Sequence, residues 1–277
     1  MVVMRTVPTF LILLGLLAGC APQPDKKVST PSPVQQTPAT ETEAIQALFT
    51  SALHQMRQNN MEAGLEDLRK AAELQPDNPE VVEAYLVVGL RLRKLGRHED
   101  ALQVVELALE RQPENAQFWQ AKGSFLFAAE KPEEARKALL KAKELAPLDP
   151  NISYDMGWQG SQDPKNHEQA LQDYGDAIAV DESYQRAWAN RGALLNKMGR
   201  HQEALRDLDR ALELEPKDSV ALYEKASTLV ALKKTDLARE TAQKVIELNN
   251  NPQAVALAQV IVENTAKPVD KPVPANR

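Results

Sequence analysis

From about residue 43 onward, apolar side chains return every three or four residues, and the pattern keeps restarting. Trp119, Gly123 and Leu126 share one helical face, and Ala135, Leu139, Ala142 and Leu145 share another. Two helices joined by a short turn follow from that spacing. The stretch Leu90–Leu102 (LRLRKLGRHEDAL) is repeated at Ala193–Leu205 (ALLNKMGRHQEAL), 103 residues downstream and thus about three periods of 34. Filling the copies between and around them predicts six helical hairpins, over 45–78, 82–115, 116–149, 150–184, 185–218 and 219–252. A last apolar-rich segment, from about Pro252 to Asn264, predicts a helix that covers the open face of the sixth copy.

The columns of this repeat have physical reasons. One column holds Ala52, Gly89, Gly123, Gly157, Gly192 and Ala226, and a second holds Gly64, Ala101, Ala135, Ala170, Ala204 and Ala238. Small residues there let the two backbones of a hairpin approach, and a larger side chain would overpack the contact. Ala71, Ala108, Ala142, Ala177, Ala211 and Val245 form a third small or apolar column; between it and the second runs a bulkier one of Leu68, Val105, Leu139, Tyr174, Leu208 and Ala242. Gly96 and Gly199 stand in turns, where positive φ is easy for glycine. Glu99, Asp100, Glu133, Glu134, Glu168 and Glu203 open the second helices at their positive dipole ends. The copies close at Pro76, Pro113, Pro147 and Pro216, residues that stop a helix, with Glu182 and Asn250 in the same column of copies four and six.

This set of columns resembles the tetratricopeptide repeat over roughly residues 43 to 250. The resemblance implies an all-α fold, a right-handed α-solenoid of about six helix hairpins with a C-terminal capping helix. Tyr85, Trp119 and Trp188 fill the aromatic slot of the first helix, whereas copy four has Ser153 there and one extra residue in its loop 161–166. Copy one departs further: Ser51 and Gln55 stand where apolar residues belong, and Gly64 replaces alanine. In this family the first helices line a concave groove that binds proteins or peptides. The positions that face it by analogy include Leu86, Leu90, Tyr154, Trp158 and Tyr223, an apolar and aromatic strip suited to an amphipathic helix or extended peptide. Packing against neighbouring helices or the copy-four loop is the alternative role for these side chains. The Lys and Asn with which some members clamp a peptide carboxylate are absent from these positions.

Both ends read differently. Residues 1–19 carry one charge, Arg5, followed by the apolar run Phe10–Ala18, which is the layout of a secretory signal. Leu17-Ala18-Gly19-Cys20 resembles the lipobox of bacterial lipoproteins, which implies cleavage before Cys20, a diacylglyceryl group on its sulfur and acylation (palmitate is the expected chain) of its new amino group. Two or more acyl chains anchor stably where one does not. Cys20 is the only cysteine, so no internal disulfide can form. Ala21 follows it rather than the Asp that often marks inner-membrane retention, which favours the outer membrane, facing the periplasm. Residues 20–42, with five prolines, read as an extended linker, and 266–277, with three, as a disordered tail.

Composition narrows the function. The chain has 277 residues, 43% hydrophobic and 26% charged, with a net charge of −6. An acidic chain argues against nucleic-acid binding. His98, His167 and His201 fall in one repeat slot of different copies, and no ligand-spaced histidine pair occurs, so no metal or other cofactor is expected. No phosphate-binding loop or nucleophile-elbow motif is present, and no catalytic residue is assigned. The sequence therefore reads as a lipid-anchored envelope scaffold or adapter, with a pilotin-like factor for pilus or secretin biogenesis and a holdase-type chaperone as alternatives.

Overall fold

The structure is a computed structural model that describes residues 41–74 and 79–266. The expected signal sequence 1–19, Cys20, the expected linker up to residue 40, Pro76 and the expected tail from 267 lie outside the described residues. The described residues form thirteen α-helices and no strand. The hairpins are α1 (Glu41–Arg57) with α2 (Met61–Leu74), α3 (Pro79–Lys94) with α4 (His98–Arg111), and α5 (Ala116–Ala128) with α6 (Pro132–Leu145). They continue with α7 (Pro150–Gly160) and α8 (His167–Val180), α9 (Gln185–Lys197) and α10 (His201–Leu214), α11 (Ser219–Ala231) and α12 (Thr235–Leu248). The last helix, α13 (Pro252–Asn264), packs on α12 and α11. Each hairpin packs on the next, and the whole is an α-solenoid.

The turns inside the hairpins share one geometry. Asn59, Gly96, Glu130, Gly199 and Lys233 all have φ between 59° and 78°. The residue after each donates its N–H back to a carbonyl five residues earlier: Asn60 to Gln55, Arg97 to Leu92, Lys131 to Leu126, Arg200 to Leu195 and Lys234 to Leu229, at 2.9 Å in each case. This is the Schellman closure, and it satisfies carbonyls that the helix end would otherwise leave free. Only two of the five positions are glycine. Copy four lacks the motif. Its extra residue is taken up by a short 3₁₀ turn at Pro164–Asn166, capped by the Asp163 carboxylate.

Small residues set the hairpin spacing. A Cβ on Gly123 would lie 2.7 Å from Leu139 Cγ, one on Gly157 2.7 Å from the Tyr174 ring, and one on Gly192 2.8 Å from Leu208 Cγ. The opposing Ala101, Ala135, Ala170, Ala204 and Ala238 are fully buried. Copy one solves its irregularity differently. Met56, one residue beyond Gln55, is buried and lies where a Cβ on Gly64 would meet it at 2.6 Å, so the glycine makes room for a displaced core side chain. Ser51, in the other irregular slot, donates to Asp67 at 2.6 Å.

Contacts between copies are fixed by polar groups as well as by the core. The indole N–H of Trp119 donates to the Pro113 carbonyl at 2.7 Å, and that of Trp188 to the Glu182 carbonyl at 3.0 Å. Tyr85 reaches the Leu68 carbonyl at 3.1 Å, and burial pushes its hydroxyl up to about 12. In copies two, three and five the aromatic slot therefore closes the junction to the preceding copy. At the starts of second helices, Lys131 pairs with Glu99 at 2.8 Å and Arg200 with Glu168 at 3.4 Å. The acidic residues that complement a helix dipole in one copy thus also hold a cation from the next. Three first helices, α5, α7 and α11, start on Asx caps: Asn115, Asp149 and Asp218 accept from the N–H two residues on at 2.9–3.0 Å.

Candidate protein-docking face

The face built from the first helices carries the candidate site. Successive first helices touch from α1 through α7 and again between α9 and α11, while α7 and α9 approach less closely. Three zones follow one another along this face.

Between α1 and α3, Leu53, Met56, Leu92 and Leu95 enclose an apolar cavity of about 460 Å³, with Arg57, Arg91 and Lys94 at its rim. Leu90 beside it is 45% exposed and Leu95 65% exposed. Leu86 is half-buried. A leucine of that exposure on an ordered helix leaves apolar area in water, and covering it with a partner releases that cost.

The middle zone is stitched shut. Gln120 donates to Asp155 at 2.7 Å and Arg93 to Ser124 at 3.0 Å, so side chains at groove positions tie neighbouring first helices together. Burial raises the Asp155 carboxyl above the ordinary carboxylate range, and the Gln120 hydrogen bond opposes that rise.

The third zone lies where α7 and α9 diverge. Trp158, 44% exposed, packs against Phe127 of copy three with ring centres 5.3 Å apart. Its indole lines a cavity of about 410 Å³ together with Ser161, Gln162, Asn190, Ala193, Asn196, Lys197 and Glu224. Glu224 is half-buried on α11; its carboxyl accepts a hydrogen bond from Asn196, and burial raises it above the ordinary carboxylate range.

The five side chains expected on the groove therefore separate. Leu90 and Trp158 are exposed, and Leu86 and Tyr223 are half-buried. Tyr154 is a correction: it is 7% exposed and is no contact surface. Its ring packs edge-on against Tyr184 at 5.3 Å and tilted against Tyr174 at 5.8 Å, the Arg186 guanidinium lies 4.5 Å over it, and its hydroxyl accepts from Asn190 at 2.7 Å. The physical reason is the small Ser153 in the aromatic slot, itself buried. The aromatic bulk of copy four comes from the next position instead, and Tyr154 turns inward to bridge α7 and α9. Asn190, Asn196 and Glu224 escaped the sequence reading because they fall outside the two columns assigned to the groove. The signal available was a lone acidic residue, Glu224, inside the otherwise apolar stretch 219–224 (SVALYE).

Two of the histidines, His167 and His201, lie within hydrogen-bond distance of neighbouring groups. His201 Nδ1 and the Asn196 amide oxygen lie 2.8 Å apart, and His167 Nε2 lies 3.2 Å from the Ser161 carbonyl. Among the described residues no group of three or more His, Cys, Asp and Glu converges on a common point. No described helix is long and apolar enough to cross a membrane.

Family models of the tetratricopeptide repeat match residues 49–111, 89–150, 186–218 and 220–252. The chain is a tetratricopeptide-repeat protein. These matches pass over 151–185, the copy whose aromatic slot and turn both depart from the pattern. Hsp70-Hsp90 organizing protein 2 of Arabidopsis thaliana is 26% identical over 194 residues, 67% of this chain and 32% of that protein. Hsp70-Hsp90 organizing protein 1 of Glycine max is 24% identical over 225 residues, 77% of this chain and 37% of that one. The chain thus spans about a third of the length of these relatives. Among solved structures, pilF of Pseudomonas aeruginosa superposes with a TM-score of 0.58 at 20% identity, covering 79% of this chain and 98% of pilF. YrrB, described as a tetratricopeptide-repeat protein with an unusual peptide-binding site, gives 0.53 at 21% identity, covering 70% and 97%. At such identities the likeness is one of fold.

Proposed function

We propose that this protein is a lipid-anchored scaffold of a bacterial cell envelope, which docks partner proteins or peptides on its first-helix face. The observation that carries the docking half is the exposure of Leu90 and Leu95 beside the α1–α3 cavity on a rigid helical surface. The stacked repeats of a solenoid create an extended concave surface of the kind used for binding. The anchoring half rests on Leu17-Ala18-Gly19-Cys20, with Ala21 favouring the outer membrane and its periplasmic side. The chaperone partners in the names of the organizing relatives do not transfer, because Leu86, Tyr154, Ala189 and Tyr223 stand where a carboxylate clamp needs Lys and Asn. A pilotin-like role in secretin or pilus assembly is a second reading; the order of lipobox and six repeats supports it, and the fold shared with pilF agrees.

Each half has its own test. A photo-crosslinking residue placed at Leu90 or Trp158 should trap a discrete partner in native membranes, and one at Gln202, exposed on the second helix α10, should not. Equal trapping at all three sites would refute docking on the first-helix face. Cys20→Ser should move the protein from the membrane to the soluble fraction, and intact mass of the wild-type chain should show acyl additions on the N-terminal cysteine. A membrane fraction unchanged by the substitution would refute the anchor.

A further inference from the structure

The cavity where α7 and α9 diverge holds a half-buried carboxylate, Glu224, that forms no ion pair among the described residues. Among the described residues Asp155 on α7 also forms no ion pair, but the charges of Arg186 and Arg93 act on it, and three second-helix acids pair with cations of first helices. Asp207 faces Arg191 at 2.7 Å, Asp209 faces Lys225 at 2.7 Å, and Glu106 faces Lys122 at 3.1 Å. Glu224 is half-buried, yet among the described residues it has only the Asn196 amide as partner and forms no ion pair. Lys197 lies on the exposed rim of the same cavity but is not among the charges acting on Glu224. A half-buried carboxylate left uncompensated is unfavourable unless something in its surroundings supplies positive charge. The indole of Trp158, the side-chain type whose face attracts a cation most strongly, lines the same cavity. Asn190 and Asn196 add amide groups to the lining. The volume, about 410 Å³, exceeds what one long side chain needs.

We propose that this cavity is a subsite for a basic side chain, a lysine ammonium or arginine guanidinium, received between the Glu224 carboxylate and the Trp158 ring. The subsite rests on the reading that a protein segment lies along the first-helix face, and it adds the chemistry of that segment: apolar where it covers Leu90 and Leu95, basic where it reaches copies four to six. Tyr154 serves as a positioning residue here. Its hydroxyl accepts from the Asn190 amide at 2.7 Å, and the Arg186 guanidinium lies 4.5 Å over its ring.

The test uses small probes and the full chain. Nα-acetyl-arginine amide and Nα-acetyl-lysine amide are titrated into isotope-labelled protein, with Nα-acetyl-norleucine amide as an uncharged control of similar length, and the indole and amide resonances are followed. The expected result is a saturable shift of the Trp158 indole and of residues around Glu224 with both basic probes and none with norleucine. Glu224→Gln, which keeps the shape and the Asn196 contact, should weaken the basic probes at least tenfold, and Trp158→Ala should weaken them severalfold. No response at Trp158, an equal response to norleucine, or unchanged affinity in Glu224→Gln would each overturn the subsite. Crosslinking at Leu90 together with silent probes refutes the subsite alone. A probe response without any crosslinked partner refutes the docking face and leaves the cation site standing.

Discussion

The recurrent left-handed turn offers a quantitative test of the hairpin architecture. Five copies place a residue at positive φ, and the chain uses glycine at only two of them, Gly96 at 76° and Gly199 at 78°. A Cβ added at either would meet no atom within 4 Å, so replacing them perturbs backbone conformation and nothing else. An alanine in this region costs about 1–2 kcal/mol, while its stiffening of the unfolded chain returns about 0.4–1 kcal/mol. The net expectation is that Gly96→Ala and Gly199→Ala each destabilise by about 1 kcal/mol. The reverse changes, Glu130→Gly and Lys233→Gly, remove the same strain at φ 61° and 59°. Both side chains are exposed and among the described residues neither forms an ion pair, so the gain should be of similar size, about 0.5–1 kcal/mol. Urea denaturation followed by far-UV circular dichroism measures the shifts, and amide hydrogen exchange locates them in the altered hairpin, because a repeat array opens locally as well as globally. Neutral or stabilising Gly→Ala changes, or loss of stability in Glu130→Gly and Lys233→Gly, would show that the shared turn geometry is wrong.

Other substitutions separate packing from docking. Trp119→Ala removes a half-buried indole and its bond to Pro113, and should cost about 3 kcal/mol, whereas Trp158→Ala should cost about 1 kcal/mol and show itself in crosslinking instead; equal losses of stability in the two variants would contradict the exposed position of Trp158. Arg136→Ala leaves Asp173, which is 2% exposed, without its two guanidinium bonds of 2.8 and 3.3 Å, and should destabilise by about 2 kcal/mol in thermal or chemical melts. Burial raises the Glu224 carboxyl in the folded state, so as pH climbs above the ordinary carboxylate value of about 4 the unfolded chain loses its proton first and stability falls. Glu224→Gln should therefore gain stability relative to wild type between about pH 4 and pH 7, and a difference independent of pH would exclude the buried carboxylate as its cause.

Most of the solenoid was legible in the chain. A helical hairpin buries one face of each helix, and the same contact repeated six times writes the same small and bulky residues at a fixed interval, so Gly123 with Leu139, Gly157 with Tyr174 and Gly192 with Leu208 announce themselves as columns. Copy four showed its extra residue in the loop, and the structure places it in the 3₁₀ turn at Pro164–Asn166.

The docking face was less legible, for a physical reason. A position in a repeat specifies which way a side chain leaves its helix only while the neighbouring slots hold residues of the usual size. Ser153 breaks that condition, and Tyr154 fills the space it leaves. Met56 replaces Gln55 in the core of copy one by the same logic, with Gly64 giving way. Local periodicity alone thus determined the helices, their number and their pairing. Which aromatic side chains meet solvent, where α7 and α9 part to open a cavity, and that Glu224 faces it without a cation depend on volumes filled between copies. Those volumes are shared by residues some 34 positions apart, and only the packed tertiary structure decides how they are divided.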